Sequence, residues 1–215
     1  MKTPLPPTAT EVAYQQLLAW LRDGTFPQGS MLSENDLSKR LAVSRTPVRG
    51  ALRRLESDGL VTIFPQRGAL VRTLTAEEAR AVADARQVLE SAALDSLSVE
   101  ARQRLCIRLE ESIQDQLTEL EQGSYERVVQ LTIDFHRIFV EAGGNPILLE
   151  FYDKLRQRQA AMTLRTYDDV AGRWSEFIAE HRRLVEHVRT GDRGAFLAEL
   201  RSHIHHTHGS LMGPL

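Results

Sequence analysis

Helical spacing of apolar residues dominates the chain, and two short strand-like runs interrupt it near the N-terminus. Residues 60–64 and 69–71 have the alternation and the β-branched content of strands. Before them, apolar residues at positions i, i+3, i+4 and i+7 mark the inner face of an amphipathic helix. These residues are Val48, Ala51, Leu52 and Leu55. Two shorter helical patterns precede it, at residues 14–21 and 37–41, so the sequence predicts three helices followed by a small β-hairpin.

Polar residues at the predicted helix starts support this organisation. Ser33, with Asp36 three positions later, forms a capping-box-like start, and Ser44 is the predicted N-cap of the third helix. Three helices and a hairpin make a winged helix-turn-helix, whose second motif helix enters the major groove of DNA. We assign residues 1–73 to this domain and residues 1–7 to a short disordered arm.

From residue 74 to 215 the pattern is helical and shows no strand-like alternation. Six helices with short connections predict an all-α antiparallel bundle, so the whole chain is expected to be mainly α. The first of them carries Val82 and Val88 among its predicted core positions. The first of the six predicted helices starts at residue 75. The other five cover residues 98–121, 124–142, 146–166, 173–190 and 192–208.

Charge is distributed unevenly along the 215 residues. Residues 1–73 carry ten Lys and Arg and six Asp and Glu, a net charge of +4, whereas residues 74–215 carry 17 and 23, a net charge of -6. A basic head on an acidic body is typical of a DNA-binding domain joined to a partner domain of another function. Cys106 is the single cysteine, the N-terminus lacks a signal peptide, and no run approaches a membrane span, so we expect a cytoplasmic protein.

A second stripe on the third helix consists of arginines. Arg45, Arg49 and Arg53 recur every four residues on a face other than the apolar one. Most charged stripes are solvated surfaces, but this one coincides with a helix-turn-helix and a basic hairpin turn. Because Arg binds either a guanine edge or a phosphate, the stripe predicts a DNA-binding face.

At these residues the chain resembles the GntR superfamily of bacterial transcription regulators. The matching residues are 24–29, Leu32, Leu37, Leu41, 44–49, Ala51, Leu52, Leu55, 59–61, Arg67 and Gly68. The resemblance implies that the third helix and the tip of the wing contact DNA. Together with Arg53 from the arginine stripe, the predicted DNA-binding residues are Ser44, Arg45, Thr46, Arg49, Gln66, Arg67 and Gly68. Gly50 departs from the family pattern, which usually has an acidic residue there.

Histidines are confined to the second domain, and the spacing of two of them indicates a cluster. His181 precedes the turn at Gly191 by ten residues and His203 follows it by twelve. At about 1.5 Å per residue they lie nearly level in an antiparallel helix pair. His136, in an apolar segment, can join them to give three nitrogen ligands with open positions for water or an anion. The alternative is that each is an ordinary surface or core histidine. His205, His206 and His208 are expected only to complement the helix C-terminus.

The second domain resembles the FCD-type effector domain of the FadR subfamily, in its VanR-like branch. The carrying residues are Arg86, Leu89, Glu90, Phe135, His136, 144–146, Leu148, Glu180, His181, Gly191, Asp192, Ala195 and His203. The resemblance implies a metal site of one Asp and three His, and the matching histidines are His136, His181 and His203.

The aspartate of that family site is missing here, because Thr132 occupies its position. Asp134 points about 200° around the helix from His136 and is a poor substitute. Three states stay open: one divalent metal, Zn or Ni, held by three His and water; no metal; or direct binding of a carboxylate by the histidines. Arg86, His136, His181 and His203 are the predicted effector-binding residues, although Arg86 can equally form a salt bridge within the bundle.

These observations predict a homodimeric regulator that binds a palindromic DNA operator, and the family resemblance implies that it is a repressor that responds to a small organic acid. Two-fold dimers compensate for the few base contacts that one recognition helix makes. Two alternatives stay open. One is a metal-dependent enzyme using the His cluster, although the sequence has no HExxH, GxSxG or phosphate-loop motif. The other is an architectural DNA binder whose sensor domain has become inactive.

Overall fold

The computed structural model describes residues 7–92, 94, 97–166 and 172–213. The predicted N-terminal arm lies outside the described residues except for Pro7. Nine α-helices and one three-stranded sheet are present in this described part, so the fold is mainly α as predicted. The chain divides into two compact units, Met1–Leu74 and Thr75–Leu215.

The first unit contains three helices and the sheet. Its helices are α1 (Ala9–Arg22), α2 (Glu34–Leu41) and α3 (Arg45–Ser57). Its strands are β1 (Met31–Leu32), β2 (Val61–Phe64) and β3 (Gly68–Val71), arranged in the order β1-β3-β2 with antiparallel pairing. The inner face of α3 is buried as its spacing predicts, and this face consists of Val48, Ala51, Leu52 and Leu55.

The predicted two-stranded hairpin was incomplete, because β1 adds a third strand. Two residues are too few to show a strand period in the sequence, and Leu32 pairs with Ala69 only through the folded chain. The close approach of β1 depends on Gly68. A Cβ atom at that position would lie 2.2 Å from the carbonyl oxygen of Leu32, and the backbone φ is +109°. Gly68 therefore has a structural role where β3 begins, directly after the turn of the wing.

The second unit is a bundle of six helices in its described part. They are α4 (Ala76–Ser91), α5 (Val99–Glu121), α6 (Tyr125–Ala142), α7 (Pro146–Arg165), α8 (Trp174–Thr190) and α9 (Arg193–Met212). Helix α5 packs against α6 and α8, while α4 packs against α6, α7 and α9. The turn between α8 and α9 uses Gly191 at φ +74°, a conformation that favours glycine.

Helix α4 places charged residues on its inner face. Arg86 and Glu90 are 1% and 0% exposed, whereas Val88, predicted to be in the core, is 68% exposed. That prediction was wrong because apolar character alone does not identify the buried stripe of this helix. The stripe follows helical spacing at Ala79, Val82, Ala83, Arg86 and Glu90. The two charges are tolerated because they pair with each other, Arg86 Nε lying 2.7 Å from Glu90 Oε1.

Candidate functional site

The predicted DNA-binding residues of α3 lie on its exposed face. Ser44, Arg45, Thr46, Arg49 and Arg53 are all exposed to solvent. Ser44 is the N-cap residue, as predicted, but its hydroxyl makes no capping hydrogen bond. The hydroxyl is therefore free to contact another molecule, such as a phosphate.

The turn that joins β2 to β3, at the tip of the wing, is a second exposed basic element. Gln66 and Arg67 are exposed at its tip, and Gln66 has a positive φ of 63°. Gly68 is half-buried beneath β1, so it can contact a ligand only through its backbone. The net charge of the first unit is positive, which favours a polyanionic partner.

Arg49 differs from the other arginines of the stripe. Its Nε lies 2.7 Å from Glu34 Oε2, at the start of α2. Within the described part of the chain, no carboxylate pairs with Arg45 or Arg53. The exposed face of α3 therefore carries two unpaired guanidinium groups and one that is held in place.

His136, His181 and His203 form a compact cluster in the core of the bundle. Each offers one ring nitrogen, and these three nitrogens all lie within 4.8 Å of one another. The rings of His181 and His203 are 4.9 Å apart between centroids, so α8 and α9 bring them level across the Gly191 turn. All three side chains are fully buried, with exposures of 0% or 1%.

A fixed acceptor binds the Nδ1 atom of each of these histidines. His136 Nδ1 lies 2.8 Å from Glu90 Oε2, His203 Nδ1 lies 2.8 Å from Glu180 Oε2, and His181 Nδ1 lies 2.9 Å from Gln116 Oε1. A carboxylate or amide oxygen at this distance favours the tautomer in which Nδ1 carries the proton. The three Nε2 atoms are then unprotonated and point toward a common centre.

The electrostatics favour neutral imidazoles. Burial lowers the pKa values of His136 and His181 well below the usual 6.5, and the nearby Arg86 cation and neighbouring histidines lower them further. Burial also lowers the pKa of His203, although its hydrogen bond to Glu180 opposes the shift. His136 Nε2 and His203 Nε2 lie 3.1 Å apart. Two unprotonated nitrogens at this distance repel each other unless a proton or a metal cation shares their lone pairs.

This donor set fits a divalent transition metal. Three neutral imidazole nitrogens with oxygen acceptors behind them are the arrangement found around zinc and related ions. His181 Nε2 supports this fit, because it is buried and has no hydrogen-bond partner in the part of the chain that the structure describes. Thr132 lies beside His136 in the lining of the adjoining cavity, and its hydroxyl is the side-chain oxygen available at that position. Asp134 instead pairs with Arg156.

A small cavity adjoins the cluster. Its volume is about 30 Å³, enough for roughly two water molecules. Arg86 Nη2 and Gln159 Oε1 belong to lining residues and are buried without partners among the described residues. Sites for small organic ligands usually measure roughly 300–1,000 Å³, so this conformation is closed to such a ligand.

His208 also lines this cavity, which the sequence did not reveal. It is 3% exposed, and its Nδ1 lies 3.2 Å from the Thr166 hydroxyl. The expected helix-end role for the last histidines was wrong, because α9 continues to Met212 and places none of them in its final turn. His206 pairs instead with Glu180, at 2.6 Å.

Comparison with known families decides the identity of both units. The model of bacterial regulatory proteins of the gntR family matches residues 9–71, and the FCD domain model matches residues 81–206, more than half of the chain. The chain belongs to the GntR family of transcription regulators with an FCD domain. This confirms the resemblance of the first unit to GntR regulators and of the second to the FCD domain.

Several transcription regulators are similar to this chain over about two thirds or more of its length. The HTH-type transcriptional regulator YdhC of Bacillus subtilis is 27% identical over 90% of this chain and 86% of its own length. The HTH-type transcriptional repressor RspR of Escherichia coli is 27% identical over 66% of this chain and 63% of its own length. A GntR regulator from Rhodococcus sp. RHA1 has the same fold, with a TM-score of 0.64, 22% identity and coverage of 96% and 98% of the two chains.

Sequence reasoning missed the residues that hold the histidines. Glu90 lies four residues after Arg86, and Glu180 directly precedes His181, so both were within the matched motifs without an assigned role. Gln116 lies in α5, far from any histidine in the sequence. An i, i+4 charge pair in a predicted core helix was a usable signal for Glu90, whereas Gln116 carried none.

No helix in the described residues has the length and apolar content of a membrane span.

Proposed function

We propose that this GntR regulator belongs to the VanR-like branch of the FadR subfamily and is a cytoplasmic homodimeric repressor. Its operator affinity is controlled by a small organic acid. The acid binds in the FCD domain beside a divalent metal, Zn or Ni, held by His136, His181 and His203. The convergence of three unprotonated Nε2 atoms beside a cavity carries the proposal. The third open state, histidines that bind a carboxylate without metal, is one outcome of the test below.

DNA binding is assigned to the exposed face of α3 and to the wing. The contacting residues are Ser44, Arg45, Thr46, Arg49, Arg53, Gln66, Arg67 and the backbone of Gly68. Their exposure and the unpaired guanidinium groups of Arg45 and Arg53 support this assignment. Arginine reads guanine through two donors or holds a phosphate, and both contacts fit an exposed helix in the major groove.

Effector binding is assigned to Arg86 together with the three histidines. Arg86 Nε is used by Glu90, but Nη2 is buried without a partner among the described residues, and Arg86 belongs to the cavity lining. A carboxylate of the acid would satisfy this donor while its other oxygen approaches the histidine cluster. When bound, the metal supplies a Lewis-acidic centre for that oxygen. The residues of the chain bind and orient the acid and exclude water.

Dimerisation and repression complete the proposal. A palindromic operator presents two half-sites about one helical turn apart, which a two-fold dimer with one recognition helix per subunit matches. Repression is supported by the name of the relative RspR, a transcriptional repressor.

The first test is native mass spectrometry of untagged protein purified without chelators. We expect a dimer with one metal per chain, and loss of the metal in His136→Ala. His187→Ala is the matched control, because His187 lies on α8 with His181 but outside the cluster. A metal-free dimer would contradict the metal assignment and leave direct carboxylate binding by the histidines.

The second test selects DNA from a pool of duplexes with a random core. We expect the wild-type chain to enrich a palindrome, and Arg45→Ala or Arg49→Ala to weaken binding roughly fivefold to 100-fold. Arg108→Ala, which removes an exposed arginine of the bundle, is the control and should bind normally. A panel of small carboxylates is then added to the enriched duplex. No change in affinity with any acid would instead favour an architectural role.

A further inference from the structure

We propose that Glu34 is a positioning residue that sets how Arg49 reads its base pair and thereby determines operator specificity. This inference rests on the proposed DNA-binding function of α3. It concerns the one ion pair that joins the start of α2 to the exposed arginine stripe within the described part of the first unit.

The position of Glu34 is fixed by local structure. Ser33 is the N-cap of α2 and accepts a hydrogen bond from the Asp36 backbone, so Glu34 is the first residue of the helix. A carboxylate is favoured there because the N-terminal end of a helix carries partial positive charge. The Glu34 side chain is 27% exposed and the Arg49 side chain 59% exposed, so the carboxylate is the more anchored partner.

The geometry of the pair limits which donors Arg49 can offer. A guanidinium group has five N–H donors on two usable edges, one including Nε and one formed by Nη1 and Nη2. The Nε donor is used by Glu34 Oε2 at 2.7 Å. The remaining edge, Nη1 with Nη2, still matches the two acceptors of guanine, O6 and N7. Glu34 therefore orients Arg49 so that Nη1 and Nη2, and not Nε, face the base.

The ion pair has little value for folding, which points to a role in binding. Exposed Arg–Glu pairs contribute little to stability, so the carboxylate is not needed to hold α2 against α3. A negative charge beside the DNA also repels phosphates and weakens binding to any sequence. An arrangement that lowers general affinity but orients one reading group favours the correct site over others. Pre-orientation also reduces the side-chain entropy lost when DNA binds.

Arg54 and Glu11 provide a matched comparison in the same unit. They also form an exposed Arg–Glu pair, but Arg54 lies over the ring of Tyr14, with its Cζ 3.7 Å from the ring centroid. Neither residue belongs to the predicted DNA-binding set. Glu11→Ala thus removes a similar charge and a similar pair without touching the arginine stripe.

The experiment sequences the duplexes that each variant selects from a pool with a random core. Arg49→Ala first identifies the base pair that Arg49 reads, as the position whose preference is lost. At that position we expect Glu34→Ala to reduce the preference at least fivefold, with binding to random duplex unchanged or up to about twofold stronger. Glu34→Gln keeps an acceptor oxygen for Nε and should retain the preference within about twofold. Glu11→Ala should select the same sequence as the wild type.

The outcomes separate this inference from the proposed function. If the wild-type chain selects no sequence, the DNA-binding proposal itself fails. If it selects an operator but Glu34→Ala keeps the full preference at the Arg49 position, or Arg49→Ala loses none, Glu34 does not position Arg49. Equal losses in Glu34→Ala and Glu11→Ala would show general loosening of the domain and would also overturn the inference. Circular dichroism confirms that each variant is folded.

Discussion

In the proposed metal site, Thr132 stands where the resemblance implies a carboxylate ligand. It lies one helical turn before His136 and lines the cavity beside it, but a neutral hydroxyl is a weak ligand. A carboxylate at this position would add a charged oxygen donor on the same face of α6. The three histidines and their acceptors Glu90, Glu180 and Gln116 would be unchanged.

We therefore predict that Thr132→Asp lowers the Kd for Zn or Ni by roughly tenfold or more, in the range that ligand-shell changes produce. Competition with a chromophoric chelator measures this directly. Thr118→Asp, at an exposed position of α5, is the control and should leave the Kd unchanged. An unchanged Kd in Thr132→Asp would mean that position 132 does not face the bound metal.

The buried imidazoles also make the stability of the metal-free protein depend on pH. Burial lowers the pKa values of His136, His181 and His208 well below the usual 6.5. In the unfolded chain they bind protons near pH 6.5, whereas the folded state resists protonation. Stability is therefore complete above about pH 6.5 and is lost as the pH falls, at up to about 1.4 kcal/mol per pH unit for each imidazole.

We predict that the thermal unfolding temperature of chelator-treated protein decreases as the pH is lowered from about 7 to about 5. His208→Gln removes one of these groups and should make the decline shallower. An equally steep decline in His208→Gln would show that the pKa of His208 is the same in the folded and the unfolded state. Differential scanning calorimetry across this range provides the measurement.

Helix α3 shows how an unusual residue can have a packing reason. Gly50 departs from the family pattern, and a Cβ atom there would lie 2.8 Å from Thr10 Cγ2 on α1. Alanine at position 50 gains helix propensity, worth up to about 1 kcal/mol, and meets the Thr10 methyl group at the same time. The two effects oppose each other in the wild-type background.

We predict that Gly50→Ala changes the free energy of unfolding little or lowers it, but stabilises by about 1 kcal/mol when Thr10→Ser removes the methyl group. A double-mutant cycle by urea unfolding measures the coupling between these positions. If the effects of the two substitutions on the free energy of unfolding were strictly additive, steric contact with Thr10 would not be the reason for glycine at position 50.

The elements that sequence predicted correctly are those with periodic apolar faces. The inner face of α3 and the starts of α2 and α3 lie where spacing and N-cap preference predict them, although only Ser33, and not Ser44, makes the capping hydrogen bond. The meeting of His181 and His203 follows from helix rise on either side of one turn. Local pattern is sufficient in each case because the relevant contacts are fixed within one or two elements.

The elements that sequence missed depend on contacts across the fold. Strand β1 forms because Leu32 reaches Ala69, and Gln116 matters because α5 brings it to His181. Val88 was placed in the core because it is apolar, while Arg86 and Glu90 occupy the buried stripe as a pair. This pair is an exception to the rule, because it is local and its i, i+4 spacing could be read from the sequence, but hydrophobicity alone does not register it.

For the whole molecule, the closed cavity has a thermodynamic consequence. A space of about 30 Å³ cannot hold an organic acid, so the proposed binding of an acid requires a state whose side-chain packing differs from the present one. A ligand shifts such an equilibrium only by its difference in affinity for the two states. In the proposed function, repacking around Arg86 and the histidines is the step through which acid binding would reach the rest of the second unit.

Metal and operator DNA provide the most direct test of coupling, because neither requires the acid to be known. If Zn or Ni changes operator affinity by some factor, the operator must change metal affinity by the same factor. We predict a factor of roughly 5 to 150, the usual range for coupled sites, and equality of the two measurements. Fluorescence anisotropy of the selected duplex with and without metal gives one side, and chelator competition with and without duplex gives the other. His136→Ala should abolish the coupling while leaving metal-free operator affinity intact. A factor of one in the wild type would mean that a bound metal is structural and that control must come from the acid alone.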